Sequence, residues 1–292
     1  MKTYVYHLIA LFTVGIWGTT FVSTKVLLNH GLSPVDIIFY SFLLAYLCLW
    51  PVSYRRFWAK SLKDELLLMG GALTGGSLYF LTENTALTMS YASNVSLIVC
   101  TAPLLTAIVI RLFYKKYRLS TQFVIGSFVA LSGVAIIVFN GHFVLNLNPL
   151  GDLLSFSAAL LWAFYSLIMK LNGKYSTAFI TRKIFFYGII SLLPIYTYQP
   201  LYWGRNLLFD PVIMGNLLFL GVVASMLCYM MWNVVLKNLG TVRASNYIYF
   251  NPVMTLLASS IVLGEALTTV FITGAMLVLG GVFIADRRIM RE

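Results

Sequence analysis

Tyr79 to Pro103 reads YFLTENTALTMSYASNVSLIVCTAP, and Cys228 to Pro252 reads CYMMWNVVLKNLGTVRASNYIYFNP. The first stretch sets a carboxylate, Glu83, beside Asn84 inside an apolar run. It turns at Ser90-Tyr91-Ala92 and enters a second apolar run that reaches Pro103. The second stretch carries Asn233. Asn84 and Asn233 are each followed 19 residues later by a proline, Pro103 or Pro252. Apolar helices with matched polar interruptions in two halves point to a membrane pathway built from a duplicated unit.

Composition widens that reading to the whole chain. Apolar residues make up 60% of the 292 and charged residues 10%, against about 25% charged in a soluble domain. The low charge is spread along the chain, so a polytopic membrane protein is expected rather than a soluble domain with an anchor. The net charge of +11 sits in short loops between apolar runs, where it sets orientation. No nucleic-acid partner is therefore expected. The expected partners are the lipid bilayer and a small-molecule substrate, with the protein a monomer or a homodimer. Cys48, Cys100 and Cys228 fall inside apolar runs, and His7, His30 and His142 are scattered. None of them shows metal-ligand spacing; no metal, other cofactor or catalytic residue is expected.

Ten segments are long enough to cross a hydrocarbon core about 30 Å thick: 5–28, 34–53, 66–88, 92–113, 121–140, 150–171, 177–198, 212–238, 242–263 and 268–286. The first follows Lys2 but is too long for a signal-peptide core, and no small-x-small cleavage site follows it. With the N-terminus inside and ten crossings, 18 of the 20 lysines and arginines lie on the inner side. Only Lys25 and Arg205 lie outside. The positive-inside rule thus predicts a multi-pass protein of the cell (inner) membrane with both termini cytoplasmic.

The halves repeat. Trp17 and Trp162 are each followed eight residues later by Lys, at Lys25 and Lys170, and stand 145 residues apart. The two asparagine–proline elements are 149 apart, and Gly126 and Gly274 are 148 apart. Offsets this steady argue for duplication, with a first five-helix repeat at 1–141 and a second at 142–292. An odd number of helices forces the second copy to cross upside down. The charges agree: the loop after the fourth segment holds Lys115, Lys116 and Arg118, whereas its counterpart after the ninth holds Glu265 and no Lys or Arg. The expected fold is all-α, ten transmembrane helices as two inverted five-helix repeats.

These features resemble the EamA-type members of the drug/metabolite transporter superfamily. The resemblance covers nearly the whole chain. It rests on the W-x7-K element of the first and sixth helices, the turn after the third, Pro103-Leu104 and Pro252-Val253, Gly264-Glu265, and Gly274 with Gly280-Gly281. It implies export of small polar metabolites, often amino acids. It also implies a central cavity lined by the first, third, fourth, sixth, eighth and ninth helices. One departure stands out: where the family commonly has Gly-Glu in both copies, the first copy here has Lys115-Lys116.

Glu83 is the sharpest candidate for chemistry. A carboxylate within a span normally faces a cavity or a partner. It either binds a substrate amine or takes up the coupling proton; the structural alternative is a pair with Lys25 or a cap on a neighbouring helix end. Tyr79, Glu83 and Ala86 share one helix face, with Asn84 about 100° round. Tyr229 and Asn233 on the eighth helix, and Asn246 and Tyr249 on the ninth, make comparable stripes. Each Asn serves either substrate or interhelical packing. Trp17 and Trp162 fall mid-helix at repeat-matched depth, with Tyr165 one turn from Trp162, and suit a cavity wall or gate. Pro103 and Pro252 are candidate hinges. Gly70, Gly71, Gly75, Gly76, Gly133, Gly280 and Gly281 suit close helix packing. No nucleotide-binding motif is present.

The reading that follows is a secondary active transporter exporting small metabolites, amino acids among them, by alternating access. A drug or nucleobase exporter on the same scaffold is the alternative. A membrane-embedded transferase would need clustered His, Asp or Ser, which the sequence lacks.

Overall fold

The computed structural model describes residues 3–54, 56–90, 92–115, 118–139, 148–201, 209–255, 257, 269–287 and 290–291. Tyr91, Lys116, His142, Arg205, Gly264 and Glu265 lie outside them. The described chain is helical but for connections and one two-residue ladder, Arg118–Leu119 with Met290–Arg291.

In the first half, α1 (Thr3–Asn29) is followed by α2 (Pro34–Leu49). Next come α3 (Leu62–Ala72), a wide π-type turn at Leu73–Ser77, and α4 (Leu78–Met89). Then follow α5 (Ala92–Val99), α6 (Ala102–Phe113) and α7 (Thr121–Phe139). The second half runs α8 (Pro149–Leu171), α9 (Thr177–Leu192) with a 3₁₀ turn at Leu193–Thr197, and α10 (Pro211–Leu218). A π-type stretch, Phe219–Leu227, leads to α11 (Cys228–Leu239). After it come α12 (Thr241–Ser245), a 3₁₀ turn at Asn246–Phe250, helical residues 251–255, and α13 (Thr269–Arg287).

Helix occupies part of every predicted segment. Among the described residues, four helices are individually long and apolar enough to cross a membrane: Thr3–Asn29, Pro149–Leu171, Thr177–Thr197 and Pro211–Leu239. Side chains such as Phe12, Leu112, Phe128 and Met276 on the outside of the bundle are more than 60% exposed, as an apolar solvent allows.

The chain writes its helix starts plainly. Ser33, Ser61, Asn148, Ser176 and Asp210 each accept a backbone N–H of the first turn. Pro34, Pro149 and Pro211 follow at positions where a missing N–H costs nothing. Gly240, with φ 83°, ends α11 in the left-handed region that glycine tolerates.

The breaks are less plain, and they are matched between halves. The two π-type turns begin 146 residues apart. Inside the first, Gly76 leaves helical geometry altogether (φ −132°, ψ −107°). The run 92–113 is also divided, at Cys100-Thr101. Pro103 therefore lies in the first turn of α6 and begins a helix rather than kinking one. Pro252 is the second of the helical residues 251–255 that follow the 3₁₀ turn.

α7 and α13 pack as a pair through glycines. A Cβ on Gly126 would lie 2.4 Å from Ala285 N, and one on Gly281 2.4 Å from Ala130 N. Gly133 meets Gly274 O in the same way, at 2.6 Å. Gly280, expected to pack, instead faces open space.

At one end of the bundle a charged latch holds the 50–61 connection. Arg182 donates to the carbonyls of Ser53 and Arg56, and Lys183 pairs with Glu65. Both cations are 1% exposed, although by sequence they count only as inner-side orientation charges. Ala59 N donates to Glu65 at 2.6 Å. Asp64 takes Lys174 at 2.8 Å and the Tyr175 hydroxyl at 2.7 Å. Those two donors, Lys174 first, hold the Asp64 carboxyl down at about 2, against about 3.9 in an unfolded chain. The stabilisation is present above the unfolded value and is lost as pH falls through the folded one.

Candidate central cavity

α1, α4, α8 and α11 bring Trp17, Tyr79, Trp162, Tyr165, Tyr229 and Trp232 into one aromatic cluster. Trp17 meets Trp162 edge-on at 5.3 Å between centroids, Tyr229 at 5.7 Å and Trp232 at 5.2 Å. Tyr79 lies 5.1 Å from Trp162, and Trp162 5.0 Å from Tyr165. Such pairs contribute about 0.5–1.5 kcal/mol each beyond burial. Rings from both halves therefore meet at the middle of the bundle.

Two cavities border this cluster, of about 50 and about 40 Å³, enough for a few water-sized groups. Trp17, Thr20, Phe21, Phe80 and Glu83 line both, so Glu83 stands in the wall between them. The first extends along Thr24, Ile38, Ser41, Asn84 and Ser225; the second is bounded by Tyr79, Trp162, Tyr229 and Asn251. Glu83 and Asn84 border the same cavity despite pointing about 100° apart, because it wraps round α4. The second helix also contributes, through Ile37, Ile38, Ser41 and Phe42, which the implied set of lining helices omitted.

Glu83 is 5% exposed and receives the Tyr79 hydroxyl at 3.2 Å. It makes no ion pair among the described residues, where the pairs are Lys174–Asp64 and Lys183–Glu65. Lys25, its structural alternative, is exposed. Other buried polar atoms on the cavity walls have no protein partner among the described residues: Ser41 Oγ, Trp162 Nε1 and Asn251 Oδ1. The walls thus offer one carboxylate, an indole donor and two neutral oxygens to a solute.

The π-type turns free backbone carbonyls, and the cavity aromatics use them. Trp17 Nε1 donates to Ala224 O at 3.0 Å, and the Tyr229 hydroxyl donates to Gly75 O. Gly75 and Ala224 are 149 residues apart, the repeat offset. Each half thus lends an aromatic donor to the other half's equivalent carbonyl. Gly75 has to be glycine: a Cβ there would lie 2.1 Å from the Tyr165 ring. Replacing Tyr229 by Phe is expected to lower stability by about 1 kcal/mol. A thermal melt of purified protein checks this, and an unchanged melting temperature would refute the bond.

The remaining sequence candidates lie elsewhere. Asn233 is bound at both ends, accepting the Tyr165 hydroxyl at 3.0 Å and donating to Thr181 Oγ1 at 3.0 Å. Asn246 is buried without a side-chain partner among the described residues. Tyr249 is buried with Cys100, Ala130 and Val278, in the cluster beneath α7 and α13. Thr20, Thr24, Ser41 and Ser225 line the first cavity and were not singled out from sequence. The signal existed for α1, since Trp17, Thr20, Phe21 and Thr24 follow the same helical spacing that picked out α4.

Both halves of this architecture match one description, EamA-like transporter family, over residues 5–139 and 149–285. The chain belongs to that family. It is 28% identical to an uncharacterized transporter of Archaeoglobus fulgidus, over 97% of each chain. It is 26% identical to a probable amino-acid metabolite efflux pump of Salmonella typhimurium, over 94% of this chain and 93% of that one. A solved crystal structure shares the fold at a TM-score of 0.76 and 17% identity, over 97% of each chain. The chain is accordingly a multi-pass membrane protein of a transporter family rather than of an enzyme family.

Proposed function

We propose that this chain is a secondary active exporter of small metabolites, amino acids foremost, working by alternating access in the cell membrane. On this reading ten spans form two inverted repeats, 1–141 and 142–292, with both termini cytoplasmic. One observation carries it: a buried carboxylate without an ion pair among the described residues, Glu83, stands between two cavities walled by aromatics of both halves. An unpaired buried carboxylate is costly and is retained where a cation, a substrate amine or a proton, occupies it in the working cycle. Trp162 Nε1 offers a donor to a solute carboxylate in the same space. The efflux pump of Salmonella typhimurium, by its name, gives the substrate class independent support.

Counterflow in proteoliposomes tests the reading. Radiolabelled amino acids should exchange against an internal unlabelled pool, and empty liposomes should not. Exchange of nucleobases with none of amino acids would favour the alternative scaffold use, to which the aromatic walls also lend themselves. Topology is tested separately. Tyr198→Cys, at a position 93% exposed, should react with an impermeant thiol reagent from outside intact cells. Lys63→Cys should react only after permeabilisation. The reverse pattern would overturn the orientation.

A further inference from the structure

Beyond the Glu83 region, a larger cavity of about 280 Å³ opens between α8, α9, α11 and α12. Tyr175, which belongs to the Asp64 latch, borders it, so it lies at the end proposed as cytoplasmic. Two lysines line it, Lys170 near the end of α8 and Lys237 near the end of α11. No acidic side chain does among the described residues. Lys237 is exposed, and the Lys170 ammonium lies 4.2 Å from the centre of the Tyr114 ring. The exposed Lys237 therefore gives the cavity a positive mouth, with Lys170 in its wall.

Its inner wall is Asn233. That side chain holds the Tyr165 hydroxyl and Thr181 at 3.0 Å each. The far face of this wall is the Tyr165 ring, which packs 5.0 Å from Trp162 and 6.1 Å from Tyr229. Those two rings wall the cavity that contains Glu83. One tyrosine and the asparagine it bonds thus separate two spaces of opposite charge.

We infer that the 280 Å³ cavity is the cytoplasmic entrance for solutes bearing a carboxylate, closed from the Glu83 cavity by the Tyr165–Asn233–Thr181 bonds. The inference rests on the exporter reading and narrows its substrate class. A solute with both a carboxylate and an amine meets the lysines first and Glu83 second. A purely cationic drug is repelled at the mouth, and a neutral nucleobase gains nothing from the lysines. Opening breaks the Tyr165–Asn233 hydrogen bond and moves the buried Tyr165 ring off Gly75 and Trp162.

Thiol labelling in inside-out vesicles tests this without any transport assay, in a Cys48→Ser background, since Cys100 and Cys228 are buried. The probes are 2-sulfonatoethyl methanethiosulfonate and its trimethylammonium analogue. At Thr177→Cys, on the cavity wall, the anionic reagent should react about fivefold faster than the cationic one, relative to a free thiol. Lys170→Gln with Lys237→Gln should bring the ratio to about one. A ratio near one before that change would overturn the anion entrance. At Asn251→Cys, on the Glu83 cavity, labelling from this side should be slow and should rise at least about fivefold with Tyr165→Phe. An unchanged rate would overturn the closure, and Thr181→Ala, which frees the Asn233 amide, gives an independent reading of it. Failed labelling leaves amino-acid counterflow standing. Failed counterflow with the charge ratio intact removes the exporter reading and leaves the anion mouth.

Discussion

Glu83→Gln is expected to lower substrate flux in proteoliposomes by about 10- to 100-fold while leaving the protein folded. The range follows from losing one charge-assisted contact, about 1.5–3 kcal/mol. Gln keeps the shape and can still accept the Tyr79 hydroxyl, which lies 3.2 Å from the carboxylate. It removes a buried group that has no ion pair among the described residues, so the thermal midpoint should hold or rise. The flux that remains should lose its dependence on pH if Glu83 carries the coupling proton, and should lose its preference for amines if Glu83 binds the substrate. Unchanged flux with an unchanged pH profile would remove Glu83 from the mechanism. A drop in flux that tracks a drop in melting temperature would make it a structural residue.

Gly281→Val is expected to disrupt the fold severely. The first added carbon would fall 2.4 Å from Ala130 N and 2.6 Å from Gly126 O. Both obstacles are backbone, so no rotamer change relieves the clash and α7 has to leave α13. Overpacking costs about 1–3 kcal/mol even where side chains can yield, and here they cannot. Size-exclusion chromatography in detergent should show loss of the monodisperse peak. Gly280→Val, one residue away and facing open space, should elute like the parent. Equal behaviour of the two variants would refute the packing.

What the sequence made legible follows from periodicity. A run of apolar residues bounded by Ser33-Pro34 or Asn148-Pro149 fixes where a helix begins, because cap and proline act within a few residues. The repeat match of Trp17 with Trp162 and the shared helix face of Tyr79 and Glu83 were legible for the same reason, since helix faces and repeat offsets are one-dimensional; that the two tryptophans touch was not. Other features depend on distance through space. Gly281 and Gly280 look alike in the chain, and only the approach of α7 separates them. Lys183 reads as an orientation charge until Glu65 and a ring of aromatics close over it. The π-type turns leave no hydrophobic signature, because an extra residue in a turn shifts the face without changing composition. Asn233 offered two roles on equal terms; its bonds to Tyr165 and Thr181 exist only once α8, α9 and α11 are assembled.

The reciprocal bonds from Trp17 to Ala224 and from Tyr229 to Gly75 set an energy scale for motion. Each is a neutral hydrogen bond worth about 1 kcal/mol net. Together they bias the arrangement that contains them by a factor of about 30. A solute that engages either carbonyl, or draws either aromatic donor to itself, competes with that bias directly. Weak binding suffices to redistribute such a population, so a modest affinity for substrate is compatible with efficient turnover. The two acceptor carbonyls are related by the repeat but the donors are not, since Trp17 matches Trp162 and Tyr229 matches Phe80, so the halves hold each other through different side chains.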